Sequence, residues 1–479
     1  MPRQAKFTTG STMGHVAVMT GTGMVGLMAL FLVDALNLFY ISMLGQTALA
    51  AAIGFAGTVQ FFTISVSIGL AIAATALVSR AVGEGDRAEA RRLAASSLVL
   101  LLGALTLVSL GVWIWREAAL AALGAKGETL AVASRFLAIV LPSLPLLGAG
   151  MIASSLLRSI GDARRAMFVT LSGGAVGAAL DPLLIFGFGL GVDGAAITSL
   201  VARAVIAAMG FRGAMLTHDL VARPNAADIV RHAPGLMRIA GPAVATQLST
   251  PTGLAALTAA MAAFGDAAVA GWAVVGRMTA LAFGGVFALS GAVGPILGQN
   301  LGAGLTARVR SAYRDAVLFC AVYVLSAWAL LALARPWIVS GFGLDGAGVA
   351  VVDAFVYAGA GFYVFTGGLF VANAAFNTLG RPLWATALNW SRDALVLPVL
   401  ALTLPPLMGA EGVVAAQALA ALVVGGVGGV IGWRMAPRLA DRHAARRLAA
   451  EAPAFASGRA AALAVAAEPD WRPENRDDR

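Results

Sequence analysis

Read along its length, the chain alternates between long apolar runs and short polar or glycine-rich breaks. The runs cover about residues 14–41, 48–78, 94–115, 130–157, 167–189 and 192–211, then 236–263, 268–298, 313–334, 350–378, 384–407 and 412–433. Each holds roughly 20 or more residues, enough to cross a bilayer as an α-helix. The pattern predicts an all-α polytopic membrane protein of about 12 spans. Residues 1–13 form an N-terminal segment, 14–211 a first six-helix lobe, 212–235 a linker, 236–433 a second lobe, and 434–479 a basic tail. Arg438, Arg442, Arg446 and Arg447 suggest a short amphipathic helix in that tail, and the Ala, Pro, Glu and Asp after Pro453 suggest disorder.

The breaks repeat. Gly45-Gln46-Thr47-Ala48 is echoed by Gly265-Asp266-Ala267-Ala268, and Gly83-Glu84-Gly85 by Gly302-Ala303-Gly304. Leu157-Arg158-Ser159-Ile160-Gly161 is echoed by Phe376-Asn377-Thr378-Leu379-Gly380, and Val192-Asp193-Gly194 by Ala410-Glu411-Gly412. The offset stays at about 219 residues through all four, the mark of a duplication. Six spans per half return the chain to its starting side. The halves are therefore parallel repeats with a site expected between or within them.

Composition supports the membrane reading: 59% of residues are hydrophobic, 12% are charged, and mean hydropathy is +0.85. The net charge of +9 could signal nucleic acid in a soluble domain, but here it clusters in alternate breaks. Arg80, Arg87, Arg91 and Arg92, then Arg158, Arg164 and Arg165, then Arg212 to Arg238, Arg308 to Arg314, and Arg381 with the tail all fall on one side. That bias places both termini in the cytoplasm, with no nucleic-acid partner. The single cysteine, Cys320, excludes an intrachain disulfide or thiolate cluster. His218 and His232 read as solvated linker residues, and the linker as long enough to let two lobes move. An intramembrane enzyme is disfavoured, since His15 has no evident partner and no His-Glu-x-x-His pattern occurs.

Two carboxylates lie inside apolar runs, which is costly and points to function. Asp34 is in the first run, with Asn37 one turn on and Tyr40 beyond it; Asp181 is in the fifth, followed by Pro182, which opens the helix locally. At similar depth they would converge on one cavity. There, desolvation and mutual repulsion would favour proton uptake. Gln60, Thr63 and Ser67 share a face of the second run; Thr198 and Ser199 lie in the sixth, and Arg277 in the eighth. Hydroxyls in such places often serve only to join helices. Arg277 can equally pack against carbonyls, and Arg392-Asp393 can pair near the inner interface.

Several motifs together resemble the multidrug and toxic compound extrusion (MATE) transporters. They are Val33-Asp34, Leu77-Val78-Ser79-Arg80-x-x-Gly83-x-Gly85-Asp86, Leu157-Arg158-x-x-Gly161-Asp162, Leu180-Asp181-Pro182-Leu183-Leu184-Ile185-Phe186 and Gly294-Pro295-Ile296-Leu297-Gly298-Gln299-Asn300. The resemblance spans about residues 14–434. It implies a monomer with two six-helix lobes around a V-shaped central cavity, exporting small organic cations, drugs or metabolites in exchange for protons or sodium ions. It makes Asp34 and Asp181 the ion-coupling acids, lines the cavity with Asn37, Tyr40, Gln60, Thr63, Ser67, Thr198, Ser199 and Arg277, and needs no cofactor. The expected location is the bacterial inner membrane.

The seventh and tenth spans lack the family's carboxylates at Gln247 to Pro251 and Phe365 to Gly368, so the chain resembles the branch with acids only in the N-terminal lobe. Gly174 and Gly177 stand where the family often has asparagine, which thins an oxygen shell at Asp34, Asp181 and Thr198 and favours protons over sodium. The first span lacks the family's proline, leaving Gly21 and Gly23 as sources of flexibility. The alternative is a flippase for lipid-linked or polysaccharide precursors, a related architecture for which Arg277 alone speaks.

Overall fold

The computed structural model describes residues 5–42 and 47–445, apart from the side chains at 34–35, 38–39, 41–42, 47–48 and 50. Twelve helical rods follow in chain order among these residues. The first lobe comprises α1 (Thr12–Ser42), α2 (Thr47–Glu84), α3 (Arg87–Ile114), α4 (Gly127–Ser159), α5 (Ala163–Gly187) and α6 (Gly191–Thr217). The second comprises α7 (Ala226–Ala262), α8 (Asp266–Ala282 continuing as Gly284–Gly302), α9 (Thr306–Gly341), α10 (Gly346–Tyr357 continuing as Tyr363–Thr378), α11 (Pro382–Met408) and α12 (Glu411–Ala445). Ten are long and apolar enough to span a membrane, or eleven with α8, whose halves bend by 43°. Helix α7 falls short in hydropathy because Thr246, Gln247, Ser249, Thr250 and Thr252 crowd its middle. No strand occurs among the described residues.

The duplication is visible in the turns. Gly85 and Gly304 close α2 and α8 at φ +80° and +71°, and Gly161 and Gly380 follow α4 and α10 at +85° and +79°. These are left-handed conformations that only glycine adopts cheaply. Each pair is separated by 219 residues, so the repeat in sequence is a repeat in backbone geometry.

The apolar interior forms clusters centred on one lobe or the other, with residues shared across the seam. One large cluster draws on Leu257 to Ala440, joined by Phe7, Val16, Met19 and Ala163. Two others are centred in the first lobe, one around Leu101, Leu105 and Leu156 that also takes in Leu236, Ile239 and Ala240 of α7, and one around Leu137, Leu141 and Ile185, while a smaller one in the second lobe groups Leu369, Phe376 and Leu388. Large apolar side chains also cover the outside: Leu107, Trp115, Leu330, Trp337, Leu402 and Leu407 are all more than 65% exposed. A surface of this kind needs lipid rather than water. This is an integral membrane protein.

The lobes meet through glycines. A Cβ on Gly83 would lie 2.1 Å from the Gln299 carbonyl oxygen, and one on Gly302 2.1 Å from that of Arg80. Gly298 faces Ser79, Gly69 faces Val244, and Gly23 faces Ala288 in the same manner. None of these contacts involves α2 before Gly69, α7 beyond Val244 or α8 before Gly284. These close approaches all lie in the half nearest the N-terminal segment. Helix α1 runs unbroken through Gly21 and Gly23, and Gly23 also lets α1 approach Ala288 of α8 closely.

Other expectations need amendment. Helix α7 begins ten residues earlier than predicted, at Ala226, because Asn225 caps it by accepting from the Ala227 N–H at 3.1 Å. The basic tail is no separate helix as far as Ala445; it continues α12, with Ala436 and Ala440 buried. The break at Leu44 to Gln46, Arg446, Arg447 and the segment after Pro453 lie outside the described residues.

Candidate functional site

Asp181 lies 18 residues into α5, about 27 Å along the helix axis, on the side away from the N-terminal segment. It is 2% exposed. Pro182 withholds a backbone donor, and the turn after it, Leu183–Gly187, widens into a π-helix as a proline at that place predicts. Asn37 of α1 donates from Nδ2 to Asp181 Oδ2 at 3.0 Å. Asp181 Oδ1 has no hydrogen-bond partner among the described residues, and neither has the hydroxyl of Thr198 on α6. Thr198 stands beside the carboxylate without closing a hydrogen bond of normal length. A buried carboxylate with one amide donor among the described residues is costly to keep ionised. Gly177 lets α5 pack closely on α1 beside this group, since a Cβ there would lie 2.6 Å from Val33 Cγ1.

The backbone of Asp34 belongs to α1, one turn before Asn37, while its side chain lies outside the described residues. Tyr40 packs edge-on against Phe186 from the π-turn, with ring centroids 5.9 Å apart. Spans α1, α5 and α6 thus bring Asn37, Tyr40, Asp181 and Thr198 to one end of the first lobe.

The remaining polar positions are placed differently. Thr63 donates to the Gln60 carbonyl at 2.8 Å, Ser67 to the Thr63 carbonyl at 3.1 Å and Ser199 to the Ala195 carbonyl at 3.1 Å, each within its own helix. Gln60 accepts from Arg203 at 2.8 Å. Arg203, on α6, is 7% exposed and also donates to the Val140 carbonyl and the Ser143 hydroxyl. Sequence reasoning passed over this buried arginine. The available signal was a cation near the middle of an apolar run. Arg277 is exposed on α8 and forms no ion pair among the described residues.

In the second lobe Arg392 and Asp393 do pair, at 2.7 and 3.0 Å, and the pair is buried, both being at most 9% exposed, about 16 Å into α11. Gly253 packs against the Asp393 carboxylate.

The two linker histidines are not solvated. His232 is 6% exposed and sits between Ser96 (2.9 Å) and Glu89 (3.0 Å), while Arg231 also binds Glu89 at 2.7 Å. His218 contacts Asp162 at 2.7 Å. The linker is further held by Arg91 with Asp219 at 2.6 Å and by the Ala222 N–H donating to the Arg91 carbonyl. It is strapped to the first lobe because α3 and α5 start with charges on the face it crosses.

A bundle of apolar rods with an interior carboxylate and two parallel halves defines a membrane transporter. The chain belongs to the MatE family, which matches residues 24–183 and 242–402. It is 28% identical to the FAD transporter of Shewanella oneidensis over 410 residues, 84% of this chain and 90% of that protein. It is also 28% identical to the multidrug export protein MepA of Staphylococcus aureus, over 42% of this chain and 46% of MepA. Among solved structures, the Vibrio cholerae MATE transporter VcmN aligns at a TM-score of 0.84 with 25% identity, covering 90% of this chain and 98% of that one. A MOP superfamily transporter from Pyrococcus furiosus aligns at 0.83 with 21% identity, covering 91% and 98%.

Proposed function

We propose that this chain is a secondary active antiporter that exports organic cations, drugs or metabolites in exchange for protons, coupled through Asp181 and Asp34. The observation that carries this reading is the Asp181 carboxylate, buried with one oxygen bound to Asn37 and the other without a partner among the described residues. Such a group is expensive to keep ionised without a counter-ion. Substrate cation and proton then compete for one negative charge, which is the minimum requirement for exchange. Protons are favoured over sodium because the oxygens gathered there are few, with Gly174 and Gly177 contributing none.

The lobes touch at the end bearing the N-terminal segment, which supports a state open on the opposite side, where Asp181 lies. With the arginine bias placing both termini in the cytoplasm of a bacterial inner membrane, that state faces outward and takes up protons from outside. The chain acts as a monomer in this reading. Cells expressing Asp181→Asn or Asp34→Asn should accumulate a fluorescent organic cation that the parent protein expels; full efflux by both variants would refute the coupling.

A second substrate reading draws on the relative aligned over most of its length, the FAD transporter. An anionic dinucleotide would need a cation in its path, and Arg277 is exposed without an ionic partner among the described residues. Competition between flavin nucleotide and organic cation for binding to purified protein, with loss of the former in Arg277→Ala, separates the two.

A further inference from the structure

The seam between the lobes is crossed by a short segment that the mechanism has not used. Residues 5–11 precede α1 and form a single 3-10 turn, Lys6–Thr8, whose Phe7 is 1% exposed. Phe7 is seated in the apolar cluster of the second lobe, with its ring edge also against Gly161 of the first.

Almost every polar group around this turn grips its backbone. The Phe7 N–H donates to Gln299 Oε1 at 2.8 Å, and the Phe7 carbonyl accepts from Asn300 Nδ2 at 3.2 Å and Arg308 Nη2 at 2.9 Å. Arg308 also donates to the carbonyls of Thr9 (3.1 Å) and Gly10 (3.0 Å). On the other side of the seam, Lys6 Nζ donates to the Gly161 carbonyl at 2.8 Å. Gln299 completes the bridge by donating from Nε2 to the Ser159 carbonyl at 2.6 Å. Thr12 bonds Asp315 at the start of α1. Gln299 and Asn300, from the Gly294 to Gly304 motif, are fully buried, so their amides serve this docking.

We propose that residues 5–11 are a latch holding the lobes together on this face, and that its release accompanies opening of the seam. The partners divide cleanly: Ser159 and Gly161 close the first lobe's fourth rod, while Gln299, Asn300 and Arg308 flank the turn between α8 and α9. Parting the lobes here must break the Lys6 and Gln299 bonds to the fourth rod, or lift Phe7 from its seat. A ligand or gradient that favours the other state works against the latch. The bonds that reach the fourth rod are two, from Lys6 and Gln299, and both end on carbonyls, which suits a contact made and broken in each cycle. The contact also depends on one aromatic anchor rather than on charge pairing. The inference rests on family membership and alternation of access, and on neither the coupling ion nor the substrate.

The test uses the full chain in nanodiscs, with spin labels on Ala88→Cys and Ala307→Cys. Both positions are exposed, one at the start of α3 and the other at the start of α9, and Cys320, which is buried, is replaced by Ser. Pulsed electron spin resonance then gives the populations closed and open at this face. Phe7→Ala, which empties a buried aromatic seat, and separately removal of residues 2–10, which also removes the bonds to the segment's backbone, should each raise the open-to-closed ratio by about tenfold or more. Phe7→Leu should restore most of the closed population. If Phe7→Ala does not fold, Lys6→Met and Arg308→Gln leave the anchor seated and should each shift the ratio in the same direction. Distance distributions identical to the parent's in all the folded variants would overturn the latch and make the segment a static part of the fold.

Discussion

Asp393→Asn should destabilise the protein far more than loss of one surface ion pair would. Asp393 is 4% exposed and Arg392 9%, and the two bonds between them, at 2.7 and 3.0 Å, are both charge-assisted. Asparagine has nearly the same shape, so Gly253, against which Asp393 packs, still leaves it room. What disappears is the counter-charge. Tyr363, with Thr279 and Gln417 at its hydroxyl, stands near Arg392 and offers dipoles but no negative charge. A buried guanidinium left alone costs about 3–5 kcal/mol, roughly a hundred- to several-thousand-fold in the folded-to-unfolded ratio. Replacing both residues, as Arg392→Met with Asp393→Leu, removes both desolvation penalties and should return stability to within about 1 kcal/mol of the parent or above it. Unfolding in mixed detergent micelles containing increasing sodium dodecyl sulfate measures all three proteins. Asp393→Asn costing under about 1 kcal/mol, or the double substitution proving no more stable than Asp393→Asn, would refute the burial argument.

Two further outcomes follow from contacts already described. Gly302→Ala places a methyl 2.1 Å from the Arg80 carbonyl oxygen and should cost about 1–3 kcal/mol by forcing α8 off α2, seen as a lower unfolding temperature; Gly368→Ala, with nothing within 4 Å, should have little effect. Asp162 is partly buried, which alone would raise its pKa, but hydrogen bonds from the Arg165 side chain and backbone and from His218 hold it below the ordinary carboxylate value. Its folded pKa is therefore depressed. The stability it contributes is present above the unfolded pKa and is lost as pH falls through the folded one, and Asp162→Asn should flatten that acid limb of the stability curve.

The spans were legible because an apolar run of bilayer length has few other readings, and the charged breaks between runs fixed most boundaries. The duplication was legible for a related reason: a turn that needs φ near +80° needs glycine, so Gly85 and Gly304 leave the same mark in sequence and backbone. Asp181 and Asn37 could be singled out as polar groups in apolar runs, but not their contact, which depends on how α1 crosses α5. Arg203 was missed because attention to acids left a buried base uncounted. The histidines were misplaced because loop position suggests solvent, whereas Glu89 and Asp162 reach them from rods far away in sequence. The role of Gln299 and Asn300 could not be foreseen either. Their partner is the backbone of Phe7, and a sequence does not show where an N-terminal segment folds back.

In the proposed cycle Asp181 exchanges a proton for a cationic substrate. The most direct measurement of this exchange is substrate movement in proteoliposomes, first under an imposed proton gradient and then under a sodium gradient, with parent protein and Asp181→Asn. Proton coupling at Asp181 predicts uphill substrate movement driven by the proton gradient, little under sodium alone, and loss of gradient-driven movement in the variant with folding retained. Undiminished proton-driven transport by Asp181→Asn would contradict it.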